Sequence, residues 1–301
     1  MKHDTTLTKE QLFMRESLTI SLLEILSENN DLTHTINHIL QVIKNATRVE
    51  AVGIRLRDND DYPYFSQDGF PNDFLFTENS LVARKKDGTI CKNSDGTPKL
   101  ECTCGLVLSG LTDKSNPLFT EGGSAWTNDS LPFLDISVNQ DIRLTPRNQC
   151  IHKGYKSVAL IPIRNNKKII GLLQLNDHRK DCFSLDTIHF LEVITRGIGV
   201  AIIRIQEETA HKMAEVNLYN LTLELKEVNK NLTSALENVK VLKGLLPICA
   251  RCKKIRDDKG YWNQIEEYIS IHTDADFTHS LCPDCAKELY PELYNSHREQ
   301  K

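Results

Sequence analysis

"YKSVALIPIRNNKKIIGLLQLND" (residues 155–177) decides how the rest of the chain is read. Two apolar runs, VALIPI and IIGLLQL, flank the polar turn NNKK. Runs of this length, rich in Val, Ile and Leu and split by a turn signal, read as two paired strands at the centre of a sheet. The stretch that follows, SLDTIHFLEVITRGIGVAIIRI (184–205), changes period. Its apolar positions 190, 194, 198, 201 and 205 have helical spacing, and Ser184 is placed to cap the N-terminus.

Toward the N-terminus, residues 8–48 read as two helices. One stripe is Leu18, Leu22, Ile25 and Leu26; after SENND a second is Ile36, Ile39, Leu40 and Ile43. Asp31 and Thr33 are candidate caps of the second helix. AVGIRLRD (51–58) alternates like a strand, with YPYFSQ as its hairpin partner. From about 71 to 150 the chain is irregular and rich in Gly, Asn, Asp and Pro. A stretch that long inside a domain is usually functional or disordered.

At 301 residues, 26% charged and a net charge of −4, the chain reads as globular, with no basic field pointing to nucleic acid or to an anionic membrane. No apolar run approaches the roughly 18 residues of a membrane span. The polar start MKHDTTLTKEQ lacks a signal-peptide core, so a cytoplasmic location is expected. Thiols stay reduced there, and the nine cysteines read as free or metal-bound.

Beyond residue 206 the pattern becomes narrow. Ala214, Leu218, Leu221, Leu225, Val228, Leu232, Ala235, Val239, Leu242 and Leu246 step by four and three alternately. This is a heptad seam, and a seam two residues wide per heptad is satisfied by a second copy: a dimeric coiled coil over 207–246. The step from Ile205 to Ala214 is out of phase, so a shift of the stripe is expected where the domain helix becomes coiled coil.

Cys249-x2-Cys252 and Cys282-x2-Cys285 form two knuckles separated by 29 residues. Each tight turn offers two sulfurs at tetrahedral spacing, and two such turns close a structural zinc site. Tyr261, Trp262, Ile265, Tyr268 and Ile269 read as a short helix between them, with an apolar face for packing on the knuckles. His279 is a further candidate ligand or hydrogen-bond donor. Residues 247–301 hold eight Lys/Arg against ten Asp/Glu, so DNA contact is a weaker reading than protein–protein docking. In the irregular stretch, Cys102-Thr103-Cys104 and Cys150 are the candidate cofactor-binding residues, with Cys91 and His152 near them in sequence. Two readings stay open: a thiol-based metal or redox site, or small buried residues that shape the segment. Cys182 reads as packing, and Trp126 as the anchor of a long loop.

The order helix, AVGIRLRD, long insertion, YKSVALIPIRNNKKIIGLLQLND and FSLDTIHFLEVITRGIGVAI resembles a GAF domain over about 18–206. The resemblance implies an α+β fold: an antiparallel sheet with helices on one face and a ligand pocket on the other, followed here by a long coiled-coil helix and a small zinc-ribbon-like module. It implies dimerisation through terminal helices and a sensory role. The Asn-Lys…Phe…Asp-Glu signature of cyclic-nucleotide-binding members is absent: Asn176-Asp177…Phe183…Asp186 lacks the Lys and the Glu. Cys150-Ile151-His152 likewise breaks the Cys-His pair of pigment-binding members. Residues 244–295 resemble a C-terminal module of bacterial signalling proteins. No phosphate loop or GxSxG elbow occurs. The expected organisation is a helical lead-in (1–17), a sensor (18–206), a coiled coil (207–246) and a four-cysteine zinc module (247–301). The expected protein is a non-enzymatic, dimeric signalling protein that takes a small ligand and a protein partner. The alternatives are a DNA-contacting regulator and a thiol or iron–sulfur redox sensor.

Overall fold

Asp31 starts the second helix by taking the His34 N–H at 3.0 Å, and Ser184 starts the long helix by taking the Thr187 N–H at 3.2 Å. These caps place the helices in a computed structural model of the chain that describes residues 9–28, 31–137, 141, 143, 146–237 and 245–292. Two compact units divide at Ala214/Glu215.

In the first unit, helices α1 (Lys9–Ser27) and α2 (Leu32–Thr47) precede strands β1 (Ala51–Leu56) and β2 (Tyr64–Asp68). Short helices α3 (Asn72–Glu78) and α4 (Cys102–Ser109), strand β3 (Ala125–Thr127) and helix α5 (Gln149–His152) occupy the stretch that reads as irregular. The hairpin β4 (Ser157–Asn165) and β5 (Lys168–Asp177) follows, then α6 (Leu185–Glu237). The sheet is antiparallel in the order β2-β1-β5-β4-β3, with Ile161 opposite Leu173 at its centre.

Both faces are buried, which is why VALIPI and IIGLLQL read as continuous rather than alternating. Ile54, Ile161, Ile163, Leu173 and Leu175 face α1, α2 and α6, where Leu22, Ile39, Ile43, Ile188, Leu191 and Ile198 complete one core. Ala51, Val158, Leu160 and Leu172 face the opposite side and pack under Phe74, Leu106 and Val107 of α3 and α4. The Arg204 guanidinium on α6 caps the C-terminus of α1 by donating to the Leu26 carbonyl at 2.6 Å.

Part of the irregular stretch is an internal repeat. RKKDGTIC and KNSDGTPK place Ala83, Cys91 and Lys99 at a constant step of eight residues. The Ala83 N–H donates to Lys99 O, the Cys91 N–H to Ala83 O and the Lys99 N–H to Cys91 O, each at 2.8 Å, a closed ring of three strand-like arms. Both loop tips turn the same way. Asp87 takes the Thr89 N–H and hydroxyl, Asp95 takes those of Thr97, and Gly88 and Gly96 supply the positive φ of 84° and 83°. The ring closes the chain on itself before it enters α4 at Cys102.

The long helix carries two faces. Ile188, Leu191, Ile198 and Ile202 are buried, whereas Val193 and Val200 are exposed. Those two valines lie on the same seven-residue track as Ala214, Leu221, Val228 and Ala235. The apolar stripe therefore changes face between Ile205 and Ala214, in keeping with the out-of-phase step in the sequence, and Val193 and Val200 are isolated apolar residues already on the second face. The buried face belongs to the domain, and the seam is a separate face. Val239 and Leu242 lie outside the described residues. Leu246 follows in non-helical chain, where Pro247 disfavours helix at the residue before it.

In the second unit, β6 (Ile255–Arg256) and β7 (Trp262–Asn263) form a small hairpin, followed by helices α7 (Ile265–His272) and α8 (Pro283–Leu289). Tyr261 and Trp262 are thus not part of the helix they read as. Asp257 accepts the Lys259 and Tyr261 N–H groups and folds the DDKG turn that pairs Arg256 with Trp262. Of that helical stripe, Tyr268 is the residue that becomes buried.

Candidate functional site

The second face of the sheet carries a partly open cavity of about 70 Å³. It has room for several waters or one small organic molecule. Cys102, Thr103 and Cys104 of α4 form one wall, Ala125, Trp126 and Thr127 of β3 another, and Asn148, Gln149, Cys150 and Ile151 a third. The three cysteines chosen from sequence, far apart in the chain, thus share one cavity. Cys91 belongs to the ring of arms, and neither it nor His152 lines the cavity. Trp126 packs against the core on the helix side of the sheet. It pairs with Ala159 as the edge strand and lines the site. A more open groove of about 620 Å³ lies along β2, fronted by exposed Phe65 and Phe76. The smaller, less open cavity offers a small ligand the greater contact.

Two non-glycine residues at the rim hold left-handed backbone, Cys102 with φ 61° and Asn148 with φ 56°. Conformations of this kind cost roughly 1–3 kcal/mol each and persist where surrounding contacts impose them. At Cys102 the contact is visible: its sulfur accepts the Arg147 backbone N–H at 2.9 Å.

The cations around the cavity are already paired. Arg143 holds Asp141 through Nε at 2.8 Å and Nη2 at 2.6 Å, and donates to Asn148 Oδ1 and Phe133 O. Arg147 lies 3.3 Å from the buried Glu78 carboxylate and 3.6 Å from Glu101, and donates to Ser80 O at 2.8 Å. Burial pushes the Glu78 carboxyl up, and the Arg147 guanidinium opposes this. Behind the site, buried Arg55 donates to the carbonyls of Tyr62, Asn79 and Glu78 and lies 3.6 Å over the Tyr64 ring. The Tyr64 hydroxyl donates to Gln174, and the Gln174 amide in turn faces Asn176 Oδ1 and the Cys150 sulfur. The charged groups of the wall, Glu78 and Arg143, each face an opposite charge, and the rest of the lining is apolar surface, thiols and the uncharged polar side chains of Thr103, Thr127, Ser130, Asn148 and Gln149. This arrangement suits an uncharged guest.

The thiols are protonated at neutral pH. Burial pushes Cys150 up to about 12 and Cys104 higher still. Cys102 is raised by burial too, with the Arg147 N–H opposing. An alkylating reagent should therefore modify Cys104 and Cys150 with a rate that climbs about tenfold per pH unit from pH 7 to 10 without a plateau. Peptide mapping after iodoacetamide treatment measures this, and a plateau below pH 8 would contradict it. The sign for stability follows. The native state keeps a proton that the unfolded thiol releases above pH about 8.5. The contribution of Cys150 is therefore full below that pH and is lost as pH rises toward 12.

In the second unit Cys249 is half-buried, and Cys252, Cys282 and Cys285 are exposed. Each pair forms a turn of its own. Backbone N–H groups of Arg251 and Cys252 aim at the Cys249 sulfur and hold its thiol below the usual range. The Cys282 sulfur caps α8 by accepting the Cys285 N–H at 3.5 Å. N–H groups aimed at sulfur suit thiolate and so fit a metal ligand of this donor type. Among the described residues, no group of three or more His, Cys, Asp or Glu is gathered to hold a metal ion. The same holds for the cavity thiols.

Sequence reasoning passed over Glu78, Arg143 and Arg147, which carry no motif. The run TPRNQC, with its Arg and its Asn just before a cysteine, was the available signal.

A search of curated proteins finds no match. Among solved structures the chain is similar to the GAF domain of an Acinetobacter phosphoenolpyruvate-protein phosphotransferase, at 15% identity over 67% of this chain and 97% of that one, TM-score 0.42. It is similar to a GAF domain from a phosphoenolpyruvate-protein phosphotransferase of Coxiella burnetii, at 13% identity over 66% and 96%, TM-score 0.44. A third is the free methionine-R-sulfoxide reductase of Neisseria meningitidis, at 14% identity over 67% and 96%, TM-score 0.43. Among the described residues no helix is long and apolar enough to cross a membrane. The GAF domain family matches residues 31–202, more than half of the chain, and the chain belongs to that family.

Proposed function

We propose that this protein is a non-enzymatic cytoplasmic sensor whose cavity takes a small uncharged organic molecule and whose α6 carries the response to a second copy and to a zinc-holding C-terminal module. The observation that carries the reading is the cavity itself. It is a small, partly open cavity on the face of the sheet opposite α6, and Arg143 in its lining is held by Asp141. Among the described lining residues the cation, Arg143, is already paired with Asp141, which gives little purchase to phosphate or carboxylate ligands, in line with the missing cyclic-nucleotide signature. The C-terminal module would hold zinc through Cys249, Cys252, Cys282 and Cys285, with closure of the two pairs supplied by the metal.

The test is to denature protein purified without oxygen and identify what it releases, alongside Ala125→Leu. Ala125 is 1% exposed and lines the cavity, so the added carbons fill the ligand's space. One small neutral molecule per chain is expected from the wild type, and at least tenfold less from the variant. Turnover of that molecule, or a stable wild-type monomer in dilute solution, would overturn the reading.

One observation favours a second reading, a thiol-based redox or metal sensor: Cys102, Cys104 and Cys150 line one cavity, and the Cys102 sulfur already holds an N–H donor. Visible charge-transfer absorbance that survives Cys249→Ser/Cys252→Ser would select it.

A further inference from the structure

Glu192 sits on the domain-facing side of α6, where its neighbours in sequence bury carbon. It is 8% exposed. Its partners come from a distant segment: both the Thr120 hydroxyl and, at 2.6 Å, the Ser124 hydroxyl donate to Oε1. The segment is itself a tight turn. The Thr120 N–H donates to Ser124 O, the Gly123 N–H to Thr120 O and the Ser124 N–H to Thr120 Oγ1. A third element joins them, since Arg164 at the end of β4 donates to Gly122 O at 3.3 Å. The three interlock without slack. A Cβ on Gly122 would lie 2.3 Å from the Glu192 carboxylate, and one on Gly199 of α6 would lie 2.1 Å from the Arg164 carbonyl oxygen. The chain leaving this turn runs directly into Ala125 and Trp126, which line the cavity.

We infer that residues 120–124 are a strap that fastens the cavity wall to α6, and that an occupant pressing β3 outward at Ala125 and Thr127 releases Glu192 from Thr120 and Ser124. This inference rests on the cavity being the ligand site. A carboxylate that loses its donors inside the protein is driven toward water. The cheapest route to water is a small turn or slide of α6, and the exposed seam on the same helix would carry that motion onward. The ligand then shifts α6 because its contacts differ between the fastened and released states, which population shift requires.

The test uses the full chain and methyl methanethiosulfonate at pH 9, a small neutral reagent that adds a methylthio group to thiolates; the exposed thiols react first, so protein labelled only there is the unloaded reference for protein labelled in the cavity as well. Intact mass and peptide mapping confirm loading of Cys102, Cys104 or Cys150. Hydrogen exchange of the amides of residues 188–202 is the readout, in the wild type, Thr120→Val/Ser124→Ala and Glu192→Gln. In the wild type, loading should raise exchange there at least threefold. In Thr120→Val/Ser124→Ala the exchange should already be raised without reagent, and loading should add less than a third of the wild-type increment. Glu192→Gln, which keeps the shape and removes the charge, should also show a reduced increment and decides the matter if the double variant does not fold. An undiminished increment in the variants overturns the strap and leaves the cavity reading standing. No increment in loaded wild type overturns the strap, whereas absence of a released small molecule from wild-type protein overturns the cavity reading.

Discussion

Serine at both Cys249 and Cys252 is expected to remove one zinc per chain and to unfold the second unit. Among its described residues that unit buries only two large apolar side chains, Ile255 and Tyr268. A core of that size does not hold some 50 residues together, and small modules of this kind depend on metal or disulfide. Structural zinc supplies about 10–16 kcal/mol of apparent folding free energy in such sites. Losing two of four thiolates should therefore abolish cooperative folding of residues 245–292 rather than weaken it. Metal analysis gives the stoichiometry. The near-ultraviolet signal of Trp262 and the exchange of the Tyr268 amide report the fold. Zinc retained in the double variant, or an unaltered Trp262 signal after chelation, would remove the metal from the account of this module. The first unit should keep its own transition, because its two cores lie on either side of the β1–β5 sheet.

The second large effect concerns the seam. Leu218, Leu221, Leu225, Val228 and Leu232 are 53–66% exposed along a continuous helix, more apolar surface than an isolated helix keeps in water without a partner. In a parallel pair each would be buried. A buried leucine reduced or made polar costs about 2–5 kcal/mol. Leu218→Glu/Leu225→Glu puts two such losses, and facing like charges, into each strand of the pair. Dissociation should become at least a hundredfold easier, read by sedimentation equilibrium at micromolar protein. Val193→Glu tests whether the pairing face extends back into the sensor. It is exposed and lies on the same track, so it should weaken the dimer while leaving the thermal transition of the domain nearly unchanged. A wild-type monomer at these concentrations would end the coiled-coil reading.

Much of the fold was legible because it is written in period and punctuation. The β4–β5 hairpin follows from two apolar runs about a polar turn, and α2 and α6 follow from stripes with a cap at Asp31 and Ser184. The eight-residue repeat at 83–99 was legible on the same terms. Its paired DGT turns are a local signal, and they went unread because the surrounding composition resembles loop. Of the site, the cysteines stood out by chemistry. Their grouping did not, since nothing local ties Cys102 and Cys104 to Cys150. The paired arginines were harder still. Arg143 and Arg147 carry no motif, and only the position of Asp141, Glu78 and Glu101 shows them to be paired beside the cavity.

What the sequence by itself determined is the order of the elements, the two-sided burial of the central hairpin, the heptad seam and the two thiol pairs of the C-terminal unit. Each of these depends on neighbours within a turn or two, where side-chain periodicity and backbone preference act directly. The tertiary structure alone decided that Ala125 and Thr127 of β3 face a cavity, that Cys102, Cys104 and Cys150 share it, and that Val193 and Val200 are exposed on the track of the seam. It alone decided that Glu192 meets Thr120, 72 residues away in the chain. The reason is that a hydrogen bond or a cavity wall needs only proximity in space. Proximity between distant segments is set by how the sheet and α6 pack, which no local pattern encodes.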